Sequence, residues 1–142
     1  MAINISSGDL EHRLLDSRGV KRWLKEVILE EGFTLGDVVY VWCSDDYLLD
    51  VNRQYLNHDY YTDIISFDYS QGKKVSGDLM ISLDRVRANA LEILGDASLF
   101  HVELRRVMVH GVLHLCGYKD STDSEQAEMT SKEDYYLGKY EI

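Results

Sequence analysis

The chain has 142 residues, 45% of them hydrophobic and 28% charged, which suits one globular domain over residues 1–142 with a core of its own. Fifteen basic residues against 25 acidic give a net charge of −10, which argues against non-specific nucleic-acid binding while leaving room for a locally positive cleft. No apolar run approaches the roughly 20 residues that cross a bilayer, and Met1-Ala2-Ile3-Asn4-Ile5 lacks the basic and apolar blocks of a secretory signal. Cys43 and Cys116 make no disulfide framework and sit among apolar residues, so buried, reduced thiols and a cytoplasmic protein without membrane partners are expected.

Ile3 to Ser6 reads as a short strand. A helix from Arg18 to Glu31 follows, with Val20, Trp23, Leu24, Val27 and Ile28 on its apolar face and Gly32 as its stop. Val38 to Cys43 has the β-branched and aromatic character of a central strand. Ser44-Asp45-Asp46 caps a helix reaching Tyr55. Asp63 to Tyr69 and Val75 to Ile81 read as two strands that pair as a hairpin across Ser70-Gln71-Gly72-Lys73-Lys74. Ser82 and Asp84 start a helix running through Leu94, with Gly95 ending it. Ser98 starts the next, and a last helix covers Ser124 to Leu137. The expected fold class is α+β: one four-stranded mixed sheet packed with about five helices, and a metal site at the end of a helix.

That site is read from His110-Gly111-Val112-Leu113-His114-Leu115-Cys116-Gly117-Tyr118-Lys119-Asp120. Two histidines four apart on a helix project from one face. Gly117 can end the helix in a left-handed conformation that turns the chain back, so Asp120 can add a third donor. Two imidazoles and one carboxylate leave a position open for water, as in a catalytic rather than a structural zinc site. The spacing is that of H-E-x-x-H-x-x-G-x-x-H, with Gly111 in place of the general-base glutamate and Asp120 in place of the third histidine. Metal chemistry is therefore expected, and ordinary zinc-protease chemistry is not. Glu103 is a candidate partner for a histidine's second nitrogen. No general base is obvious; Asp78 is a weak candidate, and a strand-end aspartate is more often a loop hydrogen-bonding group. Cys116 points away from His110 by helical phase and reads as core. Gly111 has two readings: close approach of another backbone, or room for substrate beside the metal.

With these motifs assembled, the chain resembles the YbeY family of bacterial metal-dependent endoribonucleases that act in ribosomal RNA maturation. The family's H-G-x-L-H-L-x-G-Y-D-H stands here as His110 to Asp120. Its L-N-x-x-Y-R-x-x-D-x-P-T-D-V-L-S-F stands as Val51 to Phe67, and its G-D-I-x-I-S as Gly77 to Ser82. Met129 matches the methionine that follows the ligands. Three departures stand out: Asp120 for histidine with Lys119 before it, Leu56 for the arginine after the tyrosine, and Tyr61 for proline. A carboxylate is harder than imidazole and shifts preference somewhat from Zn²⁺ toward Mn²⁺ or Mg²⁺.

The resemblance implies a single-strand-specific, metal-dependent endoribonuclease acting in ribosomal RNA processing and ribosome biogenesis. It would carry one Zn²⁺ (or Mn²⁺ or Mg²⁺) on His110, His114 and Asp120. Its partners would be single-stranded RNA, ribosomal RNA above all, and a ribosomal subunit or assembly proteins. Tyr55, Tyr60, Tyr61 and Tyr118 could stack on unpaired bases. Two alternatives remain: a non-catalytic ribosome-assembly protein whose metal fixes the loop after Gly117, and a metalloprotease, against which Gly111 counts.

Overall fold

The computed structural model describes residues 1–140, so the last two residues of the expected domain lie outside the described part. Its elements are β1 (Ile3–Ser7), α1 (Ser17–Glu30), β2 (Thr34–Cys43), α2 (Asp45–Tyr55), β3 (Ile64–Asp68), β4 (Lys74–Ser82), α3 (Leu83–Leu94), a 3-10 turn (Ala97–Leu99), α4 (Phe100–Leu115) and α5 (Asp123–Leu137). The four strands form one mixed sheet in the order β1-β2-β4-β3. β1 and β4 both run parallel to β2, whereas β3 pairs antiparallel with β4. This is the α+β domain that the sequence pattern predicts, with the hairpin in its expected place.

Strand alternation divides the hydrophobic residues between two faces. Val38, Tyr40 and Trp42 of β2 join Leu79 and Ile81 of β4 in the larger core, against α1 and α4. Cys43 and Ile65, with Val41, Phe67 and Met80 beside them, meet Leu48 of α2 on the opposite face. α4 runs through the middle of the larger core, with Leu104, Met108, Val109, Val112 and Leu113 fully buried. Two long-range hydrogen bonds tie this layer together: the Tyr40 hydroxyl donates to the Met108 carbonyl at 2.6 Å, and Trp23 Nε1 donates to the Tyr136 carbonyl at 2.8 Å.

Two elements differ from expectation at their starts. β2 begins at Thr34, ahead of the predicted Val38, because Thr34 and Leu35 pair with Lys74 and Val75 across an irregularity that precedes Val38. α4 begins at Phe100, since Asp96 instead caps the 3-10 turn by accepting from Ser98 N. The caps at Ser44, Ser82 and Thr122 each accept from a backbone N–H in the first turn, and Thr122 with Glu125 completes a capping box before α5. Among the described residues no helix is long and apolar enough to cross a membrane.

Candidate metal centre

α4 carries His110 and His114 on one face at its C-terminal end, where the two rings lie 4.5 Å apart between centroids. The helix then closes in a Schellman turn. Gly117 takes φ +104°, its N–H reaches the His114 carbonyl at 2.9 Å, and Tyr118 N reaches the Leu113 carbonyl at 3.1 Å. The loop beyond is anchored through Tyr118, whose hydroxyl donates to Glu31 Oε1 at 2.6 Å at the end of α1. Lys132 and the Tyr136 hydroxyl meet the other oxygen of Glu31. Burial alone would raise the pKa of Glu31, but these donors outweigh it and hold the carboxyl below its usual value. Asp120 is thereby brought back over the histidine face.

The three predicted ligand residues meet. Nε2 of His110 and Nε2 of His114 are 3.0 Å apart, and Asp120 Oδ2 lies 3.3 Å from the first and 3.4 Å from the second. One ligand atom from each residue falls within a 4.8 Å cluster, a group that could hold a metal ion. A tetrahedral ion with bonds of about 2.0–2.2 Å needs neighbouring ligand atoms about 3.3 Å apart, so the spacing suits it.

The second nitrogens fix the tautomers. His114 Nδ1 is 2.9 Å from the Tyr118 carbonyl, which can only accept, so this nitrogen carries the proton and Nε2 presents a lone pair. His110 Nδ1 lies 2.6 Å from Glu133 Oε2 of α5, and donation to that carboxylate again leaves a lone pair on Nε2. Two lone pairs and a carboxylate oxygen converging within 3.4 Å are mutually repulsive without a cation between them. The residues present therefore fit a divalent ion. The pKa of His110 points the same way: burial pulls it down, but Glu133, Asp63 and Asp120 outweigh burial and raise it above the ordinary value. The site attracts positive charge.

Glu133 does not stand out in the sequence. It is buried and clamped by Arg106, whose Nη1 donates to Glu133 Oε1 at 2.8 Å while Nη2 donates to Asp134 at 2.6 Å. Glu103, expected in this role, does not reach either histidine. It precedes His110 by two turns of α4, a rise of about 10 Å, and is buried on its own account. Burial, with the Asp63 carboxylate nearby, pushes its pKa up.

A pocket of about 440 Å³ opens beside the triad, lined among others by Leu56, His58, Tyr60, Asp63 and Asp68. Asp63, which also does not stand out in the sequence, lies at the start of β3. Burial is the main cause of its raised pKa, with His110 pulling the other way. Asp78 is not part of this pocket; it sits in β4, where the Tyr69 hydroxyl donates to its Oδ2 at 3.3 Å. Gly111 faces the sheet: a Cβ there would meet Ile64 Cδ1 at 2.8 Å and Leu79 at 3.1 Å. The close approach expected of it is real, but side chains make it rather than backbone. Tyr118 is tied inward by Glu31, whereas Tyr55, Tyr60 and Tyr61 are exposed. Cys116 packs against the core as a free thiol with its pKa pushed up by burial to about 12.

The family profile described as endoribonuclease YbeY matches residues 6–141 of this sequence. The chain belongs to the YbeY family. A relative from Flavobacterium psychrophilum named endoribonuclease YbeY is 45% identical, with 94% of each chain covered. One of the same name from Phocaeicola vulgatus is 51% identical over 81% of each. The solution structure of a Thermotoga maritima protein superposes with a TM-score of 0.69 at 28% identity, covering 97% of this chain and 88% of that one. Membership of the YbeY family thus rests on near full-length similarity, independently of the triad's geometry.

Proposed function

We propose that this chain is a metal-dependent endoribonuclease that cuts single-stranded RNA in the cytoplasm during ribosomal RNA processing. The observation that carries the proposal is the convergence of His110 Nε2, His114 Nε2 and Asp120 Oδ2 beside an open pocket, in a chain of the YbeY family. Two nitrogen donors and one oxygen suit Zn²⁺ better than Mg²⁺, which prefers oxygen and six ligands. When bound, such an ion lowers the pKa of a coordinated water and polarises a phosphoryl oxygen.

The chain's own residues do the rest. Glu133 and the Tyr118 carbonyl hold the two imidazoles in the tautomer that binds. Asp63 lines the pocket beside the triad, which places a carboxylate to take the proton of an attacking water. The two cysteines are free thiols, in keeping with a reducing compartment.

The test is cleavage of a labelled single-stranded RNA by protein stripped of metal and then given zinc or manganese. Metal-dependent internal cleavage, lost on chelation and in His114→Ala, is the expected result. Metal binding without any cleavage would instead support the non-catalytic assembly reading.

A further inference from the structure

A phosphodiester substrate brings negative charge into the pocket, yet among the described residues no lysine or arginine lines it, and Asp63, Asp68 and Asp120 make it acidic. Three imidazoles line it, and two of them, His110 and His114, point Nε2 at the cation position. His58 is left over. It sits in the loop between α2 and β3, next to Tyr60, which lines the same pocket.

The backbone of this loop is pinned while its aromatic side chains are held outward. Asn52, 1% exposed, accepts from His58 N through its carbonyl at 3.1 Å and donates from Nδ2 to the Tyr60 carbonyl at 2.9 Å. Arg53 pairs with Asp59 at 2.5 Å, and the Arg85 guanidinium lies 5.3 Å from the centre of the Tyr61 ring. Tyr60 nevertheless stays 56% exposed, with its ring stacked on that of His58 at 5.1 Å and 21°. The Tyr60 hydroxyl is 3.0 Å from His58 Nδ1. With that hydroxyl donating, the imidazole proton sits on Nε2, which has no protein partner among the described residues. Core packing does not account for an aromatic pair so fixed and so exposed. Tyr118 and Tyr136, by contrast, turn their hydroxyls onto Glu31.

We propose that the stacked His58–Tyr60 pair is the strand-holding subsite of the pocket, taking an unpaired RNA base against its open aromatic face and a backbone phosphate oxygen on His58 Nε2. The proposal rests on the reading of the triad as an RNA-hydrolysing centre. Stacking on an aromatic ring tolerates any base, since every base has a π-face, but it requires that the base be unpaired. The Nε2–H donor of His58 takes over a contact for which the pocket offers no lysine or arginine. The preference for single strands thereby acquires a structural cause close to the metal ligands.

The experiment measures binding of a short single-stranded oligoribonucleotide to metal-loaded protein by fluorescence anisotropy. One of its adenines is replaced by 2-aminopurine, whose emission is quenched when it stacks. Wild type should bind with quenching, and the same sequence as a duplex should compete poorly. Tyr60→Ala and His58→Ala should each weaken binding about tenfold and raise KM more than they lower kcat, with metal content unchanged. Tyr60→Phe, which keeps the ring but removes the hydroxyl that donates to His58 Nδ1, should keep the quenching and weaken binding less than Tyr60→Ala. Wild-type affinity in both alanine variants, or binding without quenching, would overturn the subsite while leaving the nuclease reading intact. A quenching wild type keeps the proposal under test even if an alanine variant misfolds. Metal-loaded wild type that neither binds nor cuts RNA would overturn the functional reading itself, and the subsite with it.

Discussion

His110 shows how one residue can be chemically set by a partner far away in sequence. Its Nδ1 is held by Glu133, 23 positions later, and Glu133 is held in turn by Arg106. Removing the charge of Glu133 should leave the imidazole present but less basic and less well oriented. Glu133→Gln is therefore expected to weaken zinc binding by about 10–100-fold, read by competition with a chromophoric chelator. The same titration carries a pH signature. Protons compete with the ion for Nε2, and the pKa of His110 stands above the ordinary histidine value. Wild-type affinity should therefore fall as pH drops through that raised pKa. In Glu133→Gln the fall should begin at lower pH, because the carboxylate that does most to raise it is gone. An identical pH profile in both proteins would show that Glu133 does not tune the ligand.

At the scale of elements, the metal centre depends on how closely α4 lies on the sheet. Gly77 of β4 sits under the end of that helix: a Cβ there would come within 2.6 Å of the Phe67 carbonyl oxygen and 2.9 Å of Leu115 Cδ2. The carbonyl belongs to the paired strand and cannot easily move, while Leu115 neighbours His114 in sequence. Gly77→Ala should cost about 2–3 kcal/mol in denaturant unfolding and should lower zinc affinity as well, because relief of the clash shifts α4. Unchanged stability would mean that the helix and sheet are less tightly opposed than the structure has them.

The elements were largely legible in the sequence because their signals are local. Ser44 and Ser82 cap, Gly95 and Gly117 terminate, and β-branched and aromatic residues mark β2; the Thr122 cap, two residues ahead of the expected start at Ser124, was not read. What was not legible depends on tertiary contact. Thr34 and Leu35, cut off from the apolar run by Gly36 and Asp37, become strand by pairing with Lys74 and Val75 of β4. In the sequence Glu133 is one acidic residue among several on α5, whereas Glu103 suggests itself because it shares a helix with the histidines. Asp63 gave no sign until burial beside His110 set its character.

Across the whole molecule, the net charge of −10 and an acidic pocket without lysine or arginine among the described residues do not form a general polyanion-binding surface. Under the proposed function, attraction for RNA is local, supplied by a divalent ion at the C-terminal end of α4 and by contacts at the pocket rim. In the proposed reading an ion stabilises residues 110–120, where lone pairs and a carboxylate otherwise oppose one another. The most direct test is the metal content of chelator-free protein by elemental analysis, beside His114→Ala. The account predicts about one equivalent of zinc or another divalent transition metal in the wild type, a higher melting temperature with the ion than without it, and loss of both in the variant. Wild-type protein that carries no metal and takes up neither zinc nor manganese would contradict it.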